Sequence, residues 1–156
     1  MVIQRVREAQ VIINGKETRN TGAGFLLLVG YCAKDDEHTV RYFAEKIVNL
    51  RIFEDENGAM NRSLVDTGGE IMLVSNFTLY ANCRKGRRPS FIEAARPETA
   101  VPLYELLLEI LRESGFSVAS GEFGAEMQVA LTNDGPVTII LDSEDILPKD
   151  KRENSV

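Results

Sequence analysis

The apolar positions of the chain fall into two periods. Val2, Ile3 and Val6, then Val11, Ile12 and Ile13, form short β-branched runs directly before Asn14-Gly15, a dipeptide that supplies the positive φ of a tight hairpin turn. The chain is therefore predicted to open with paired strands. Residues 25–29 form an unbroken apolar run after Gly22 and Gly24, as expected of a strand buried on both faces or lying across a dimer interface. Gly68-Gly69 introduces Ile71, Met72, Leu73 and Val74, a predicted central strand that ends in Ser75-Asn76-Phe77-Thr78-Leu79. Three more strands are predicted at residues 116–120, 127–131 and 137–141, the last two joined through Thr132-Asn133-Asp134-Gly135-Pro136.

A helical period replaces the strand pattern twice. Val40, Phe43, Ala44, Ile47, Val48 and Leu50 recur on one side, with Arg41, Glu45 and Lys46 on the other. With Asp35 or Asp36 as cap, this predicts a helix over residues 36–50. Pro97-Glu98 opens a second helix, with Leu103, Leu106, Leu107, Ile110 and Leu111 as its apolar face and Gly115 as its stop. Asp55-Glu56-Asn57-Gly58 reads as a turn leading into a loop. Polar and charged residues dominate from Asp142 onward, so a domain over residues 1–141 is expected to be followed by a loose polar tail over 142–156. No internal repeat is visible. The expected fold class is α+β: a single domain with an antiparallel or mixed β-sheet, or a half-open barrel, and two main helices.

Composition narrows the function classes. The chain has 156 residues, 44% hydrophobic and 27% charged, which makes disorder, collagen-like repeats and coiled-coil rods poor descriptions. A chain of this length buries roughly 70% of its unfolded surface, so it needs neither disulfide nor metal to hold a core. The formal charge of −6 argues against a protein that coats nucleic acid through its whole surface, while leaving room for a local basic patch. Cys32 and Cys83 lie far apart and form no metal-ligand spacing, so reduced thiols in a cytoplasm are expected. Gln4, Arg5, Arg7 and Glu8 break up the start, and the run at 25–29 is far too short to span a bilayer. Neither signal peptide nor membrane anchor is expected.

The catalytic inventory is sparse. The one histidine, His38, falls in a polar helical turn beside Asp36 and Glu37, where a solvated surface position is the commoner use, so a Ser-His-Asp or Cys-His hydrolase is not expected. There is no HExxH or CxxC, hence no metal site is expected, and Thr21-Gly22-Ala23-Gly24 lacks the lysine of a P-loop. No cofactor is called for. If the protein is a hydrolase, catalysis must rest on backbone amides, on hydroxyls such as Thr78, or on a group brought by the substrate. Arg84, Lys85, Arg87 and Arg88, with Arg96 downstream and only Glu93 opposing, give a cationic stretch where a polyanion could dock, although surface arginines are more often merely solvated. Phe91 lies in the same stretch, where a ring beside arginines can hold a single-stranded nucleotide end; the competing use is a core phenylalanine opening a short helix.

Four motifs, in order and spacing, resemble the D-aminoacyl-tRNA deacylase (D-tyrosyl-tRNA(Tyr) deacylase) family: Gln4-Arg5-Val6, Ser75-Asn76-Phe77-Thr78-Leu79, Arg88-Pro89-Ser90-Phe91 and Asn133-Asp134-Gly135-Pro136-Val137-Thr138. The similarity runs over residues 1–141 and includes Phe123-Gly124-Ala125-Glu126-Met127-Gln128-Val129. The resemblance implies a cytoplasmic proofreading hydrolase that frees a D-amino acid, or glycine, from tRNA and serves translation quality control. It implies a homodimer with two sites at the interface, where the Gly135-Pro136 turn of one subunit, supported by Arg5, lines the pocket of the other.

By the same resemblance Ser75, Asn76, Phe77 and Thr78 form the catalytic segment, with the Phe77 and Thr78 amides facing the developing oxyanion. Ser90, Phe91 and Met127 would bind substrate, with Ser90 and Phe91 at the terminal adenosine. Arg84, Lys85, Arg87 and Arg88 would meet tRNA phosphates. The tRNA's 2′-hydroxyl would help activate water. The family usually carries Gln where this chain has Asn76, whose reach is shorter by roughly 1.5 Å. Two alternatives stay open: a non-catalytic nucleic-acid-binding module on the same scaffold, and a deacylase for another mischarged tRNA.

Overall fold

The computed structural model describes residues 1–147, so of the predicted tail the part at 148–156 lies outside the described residues. The first two β-branched runs are one strand, β1 (Val2–Ile13), not two. Asn14 and Gly15 both take positive φ and turn the chain into β2 (Glu17–Thr21), which pairs back antiparallel. Next come β3 (Gly24–Val29), α1 (Glu37–Asn49), a small hairpin of β4 (Phe53–Glu54) and β5 (Met60–Arg62), the one-turn α2 (Leu64–Thr67) and β6 (Glu70–Ser75). A 3-10 turn (Phe77–Tyr80), α3 (Pro97–Glu113), β7 (Val118–Ser120), β8 (Met127–Ile140) and the one-turn α4 (Ser143–Ile146) complete the order.

Strand β1 is the spine. β8 runs antiparallel along one edge of it, while β3 and then β2 share the other edge. β3 continues into β6 and β7 through parallel pairing, so the sheet is mixed and curls into a nearly closed barrel. Burial on both faces explains why residues 25–29 of β3 and 71–74 of β6 are apolar without alternation. Phe25, Leu27, Val29, Ile71 and Leu73 pack against the helices, and Leu26, Met72 and Val74 point the other way, onto Val6, Ala9, Val11 and Ile13. α1 and α3 cover the first face with Phe43, Ile47, Leu107 and Leu111. Asp36 is the cap of α1, accepting from the Thr39 amide at 2.8 Å.

Three expectations need correction. The strands predicted at 127–131 and 137–141 are one strand, because both halves pair with the same β1. Asn133 lies opposite Val6 and Thr138 opposite Gln4, and the residues between them bulge outward past Arg5. The stretch after Asp55 is not a plain loop: the Asp55 carboxylate accepts from the Asn57 and Ala59 amides and closes the β4–β5 hairpin. The tail does not loosen at 142, since the Asp142 side chain accepts from the Glu144 amide and caps α4.

Candidate active site

The segment after β6 owes its shape to two close approaches. The Asn76 amide donates to the Val29 carbonyl at 2.7 Å, locking the end of β6 to the end of β3. Gly30, one residue on, must lack a side chain: a Cβ there would stand 2.9 Å from the Asn76 carbonyl oxygen and 3.3 Å from the Tyr80 ring. Asn76 then caps the 3-10 turn, its side-chain oxygen accepting from the Thr78 amide at 3.2 Å and also from the Thr78 hydroxyl. This is what a short polar side chain does at such a position. Among the described residues no acceptor engages the Phe77 amide. Of the two amides that the resemblance implies for an oxyanion, that of Thr78 is held by the Asn76 cap and that of Phe77 is free of such a bond.

Ser75, Asn76 and Phe77 line a cleft of about 330 Å³ together with Gly30, Tyr31, Ala95, Phe123 and Met127. Met127, which the resemblance implies as a substrate-binding residue, lines the same cleft as Ser75. Phe77 is 58% exposed, and its ring meets Phe91 edge-on at 5.2 Å. Phe91 opens no helix; it sits half-buried in a loop beside Ser90. Ser90 exchanges both backbone hydrogen bonds with Asn82, at 2.8 and 3.0 Å, and so pinches the base of a loop that carries Arg84, Lys85, Arg87 and Arg88. All four cations are exposed, and none forms an ion pair within the described residues. Of the residues that the resemblance implies for the site, Ser75, Asn76, Phe77 and Met127 line this cleft and Phe91 meets Phe77 at its edge, whereas Thr78, Ser90, Lys85, Arg87 and Arg88 do not line it and Arg84 lines a second, larger cleft.

Gly135 and Pro136 are elsewhere. They are exposed and line neither this cleft nor the larger one, of about 1050 Å³, behind Tyr31. The peptide between them is cis. Arg5, only 5% exposed, braces the bulge from beneath: its Nε donates to the Asp134 carbonyl at 2.9 Å and its Nη1 to the Ile52 carbonyl at 2.7 Å. The Asp134 carboxylate lies 3.7 Å from Arg5 and accepts from Arg7 at 3.0 Å. Asn133 closes the other side, accepting from the Val137 amide at 2.7 Å and donating to the Val137 carbonyl at 3.1 Å. Gly135 has φ of +137°, and a Cβ there would stand 2.8 Å from Val137 Cγ2 and 3.2 Å from Arg5 Nη2. Sequence reasoning gave Arg5 its bracing role but assigned none to Arg7, Asn133 or Asp134. A carboxylate beside two arginines only becomes legible once β8 is seen as one strand lying against β1.

His38 is exposed on α1 and lines neither cleft. Among the described residues no group of three or more His, Cys, Asp or Glu side chains could hold a metal ion, and no helix is long and apolar enough to cross a membrane. What the smaller cleft offers chemically is the Phe77 amide at the end of β6, the Ser75 hydroxyl and a largely apolar wall. Among the described residues that line it there is no His, Lys, Asp or Glu.

Comparison with known proteins agrees over the whole domain. The family model described as D-Tyr-tRNA(Tyr) deacylase matches residues 2–142. A D-aminoacyl-tRNA deacylase of Thermus aquaticus is 55% identical over 144 residues, covering 92% of this chain and 95% of that protein. One from Brevibacillus brevis is 56% identical over 143 residues, covering 92% and 99%. Among solved structures, one named c-Myc DNA Unwinding Element Binding Protein superposes with a TM-score of 0.84 at 40% identity, covering 91% of this chain and 97% of that one. A probable eukaryotic D-amino acid tRNA deacylase shares the fold, with a TM-score of 0.76 at 18% identity over 88% and 95% of the two chains. On a family match that spans nearly every described residue, the chain belongs to the D-Tyr-tRNA(Tyr) deacylase family.

Proposed function

We propose that this protein hydrolyses the ester joining a D-amino acid, or glycine, to the terminal ribose of tRNA, and that it works in the cytoplasm as a homodimer. In this reading the Gly135-Pro136 turn of one protomer enters the cleft of its partner. The observation that carries the reading is the turn itself: a clamped, exposed loop whose own protomer gives it nothing to line. Backbone carbonyls on such a loop can hold the substrate's α-amino group and leave no volume for a side chain in the L arrangement, whatever its size. D-residues and glycine escape that clash.

At the ester, the Phe77 amide stabilises the developing oxyanion, a role worth about 3 kcal/mol per donor. Ser75 and Asn76 hold the segment in place, Ser90 and Phe91 take the terminal adenosine with Met127 opposite, and Arg84, Lys85, Arg87 and Arg88 take the phosphates behind it. Water is activated with the help of the tRNA's own 2′-hydroxyl, which accounts for the missing protein base. Incubating purified protein with tRNA charged with labelled D-tyrosine tests the proposal: release of the label is expected, and retention of the label would refute it.

A second reading, a nucleic-acid-binding module without catalysis, has one observation in its favour: the solved structure 40% identical to this chain is named for binding a DNA element. Binding of uncharged tRNA or single strands with no deacylation would support it.

A further inference from the structure

Arg5 and Arg7 stand two residues apart on β1, and both reach Asp134, the residue directly before the Gly135-Pro136 turn. They meet different atoms of it. Arg5 Nε donates to the Asp134 main-chain carbonyl at 2.9 Å, whereas Arg7 Nε donates to the Asp134 carboxylate at 3.0 Å. The second carboxylate oxygen lies 3.7 Å from Arg5 Nε, too far for a hydrogen bond. Arg7 owes its place to an irregularity in β1. Val6 lies opposite Asn133 and Glu8 opposite Thr132, so Arg7 is an extra residue with none facing it on β8. Such a bulge breaks the alternation, and Arg7 and Glu8 are both exposed where a regular strand would turn one of them inward.

Two acceptors on one residue therefore compete for Arg5. A carboxylate is a stronger acceptor for a guanidinium than a neutral carbonyl is. Arg5 is 5% exposed, and its Nη1 is already engaged by the Ile52 carbonyl at 2.7 Å. If the Asp134 carboxylate swung inward to take Arg5 Nε, the Asp134 carbonyl would lose its donor, and the peptide leading into Gly135 would no longer be pinned. We propose that Arg7 is a positioning residue: by holding the Asp134 carboxylate off Arg5, it fixes the main chain of the Gly135-Pro136 turn. The Arg7 side chain is 74% exposed, and a pair so placed contributes little to stability. Its effect is on where the turn points.

The functional consequence rests on the reading in which that turn tells the D-form of the substrate from the L-form, and it names a residue on which the discrimination depends. Arg7→Met removes the donor and keeps much of the stem. Contacts to the tRNA are common to both substrates, so the ratio of kcat/KM for D-tyrosyl-tRNA to that for L-tyrosyl-tRNA isolates the turn. Arg7→Met is expected to lower that ratio about two- to fivefold, the range an exposed ion pair supplies. Adding Asp134→Ala, which removes the competing carboxylate, is expected to restore most of it. A ratio unchanged by Arg7→Met would overturn the proposal, as would a double variant no better than Arg7→Met. A lowered melting temperature with an unchanged ratio would also overturn it, by marking a purely structural pair. Should the wild-type protein fail to discriminate, the reading of the turn falls. The clamp is then decided by hydrogen exchange of the Val137 amide, which donates to Asn133 at 2.7 Å on the far side of the turn. Exchange about two- to fivefold faster in Arg7→Met supports the clamp, and an unaltered rate overturns it.

Discussion

The side-chain carbonyl of Asn76 accepts from both the amide and the hydroxyl of Thr78. The Thr78 proton is therefore committed to an amide oxygen, which is too weak a base to remove it, so the hydroxyl is poorly placed to become a nucleophile. Thr78→Val deletes the hydroxyl and keeps the backbone. It is expected to lower kcat by less than about tenfold in single-turnover deacylation. Complete loss, with a trapped acyl-enzyme in the wild type, would establish the covalent route instead.

In the proposed mechanism Asn76 also governs how many amides are free to face the substrate, because its side chain occupies that of Thr78. A side chain one methylene longer does not close the same cap, and glutamine is not among the residues that favour this position. Asn76→Gln is therefore expected to release the Thr78 amide as a second donor and to raise kcat about tenfold, within what one oxyanion donor contributes. A fall in kcat would mean that the cap is needed to hold the Phe77 amide in place.

The cationic loop makes a prediction about salt. Replacing Arg84, Lys85, Arg87 and Arg88 together by glutamine should raise KM and leave kcat nearly unchanged. It should also flatten the dependence of log KM on log salt by about 3, since each phosphate contact on a single strand contributes roughly 0.7 to the slope. An unaltered slope would place the tRNA elsewhere.

Most of the fold was legible because burial on both faces leaves a plain mark: residues 25–29 and 71–74 carry no polar residue, and both are central strands. What the pattern could not show was long-range pairing. The bulge at 134–137 looks like an ordinary turn between two strands until both halves are seen to pair with β1. For the same reason Arg7, Asp134 and Asn133 went unassigned, since the bonds that clamp the bulge join residues more than a hundred positions apart or lie inside it.

Gly135 should tolerate no side chain. Its positive φ and the short approach to Val137 and Arg5 mean that Gly135→Ala must displace the loop. Activity of that variant should be lost, and mixing it with a variant disabled at the Ser75 segment should restore about a quarter of wild-type activity, through heterodimers with one intact site. No recovery on mixing would show that each protomer builds its site alone.

The pH dependence carries two expectations. The backbone amide of Thr39, and then its hydroxyl, hold the Asp36 carboxyl below the usual carboxylate range. A depressed folded pKa stabilises above the unfolded value and is lost as pH falls through the folded one, so Asp36→Ala should cost about 1 kcal/mol near neutrality and much less in acid, as read by urea unfolding. His38 plays no part in the proposed chemistry. His38→Gln should leave the pH–rate profile between about 6 and 8 unaltered, histidine being the side chain that ordinarily titrates there.

The most direct test compares initial rates of deacylation for the same tRNA charged with D-tyrosine and with L-tyrosine. Rapid release of the D-form beside a spared L-form is the predicted result. Equal rates for the two would contradict selection by the backbone of the Gly135-Pro136 turn.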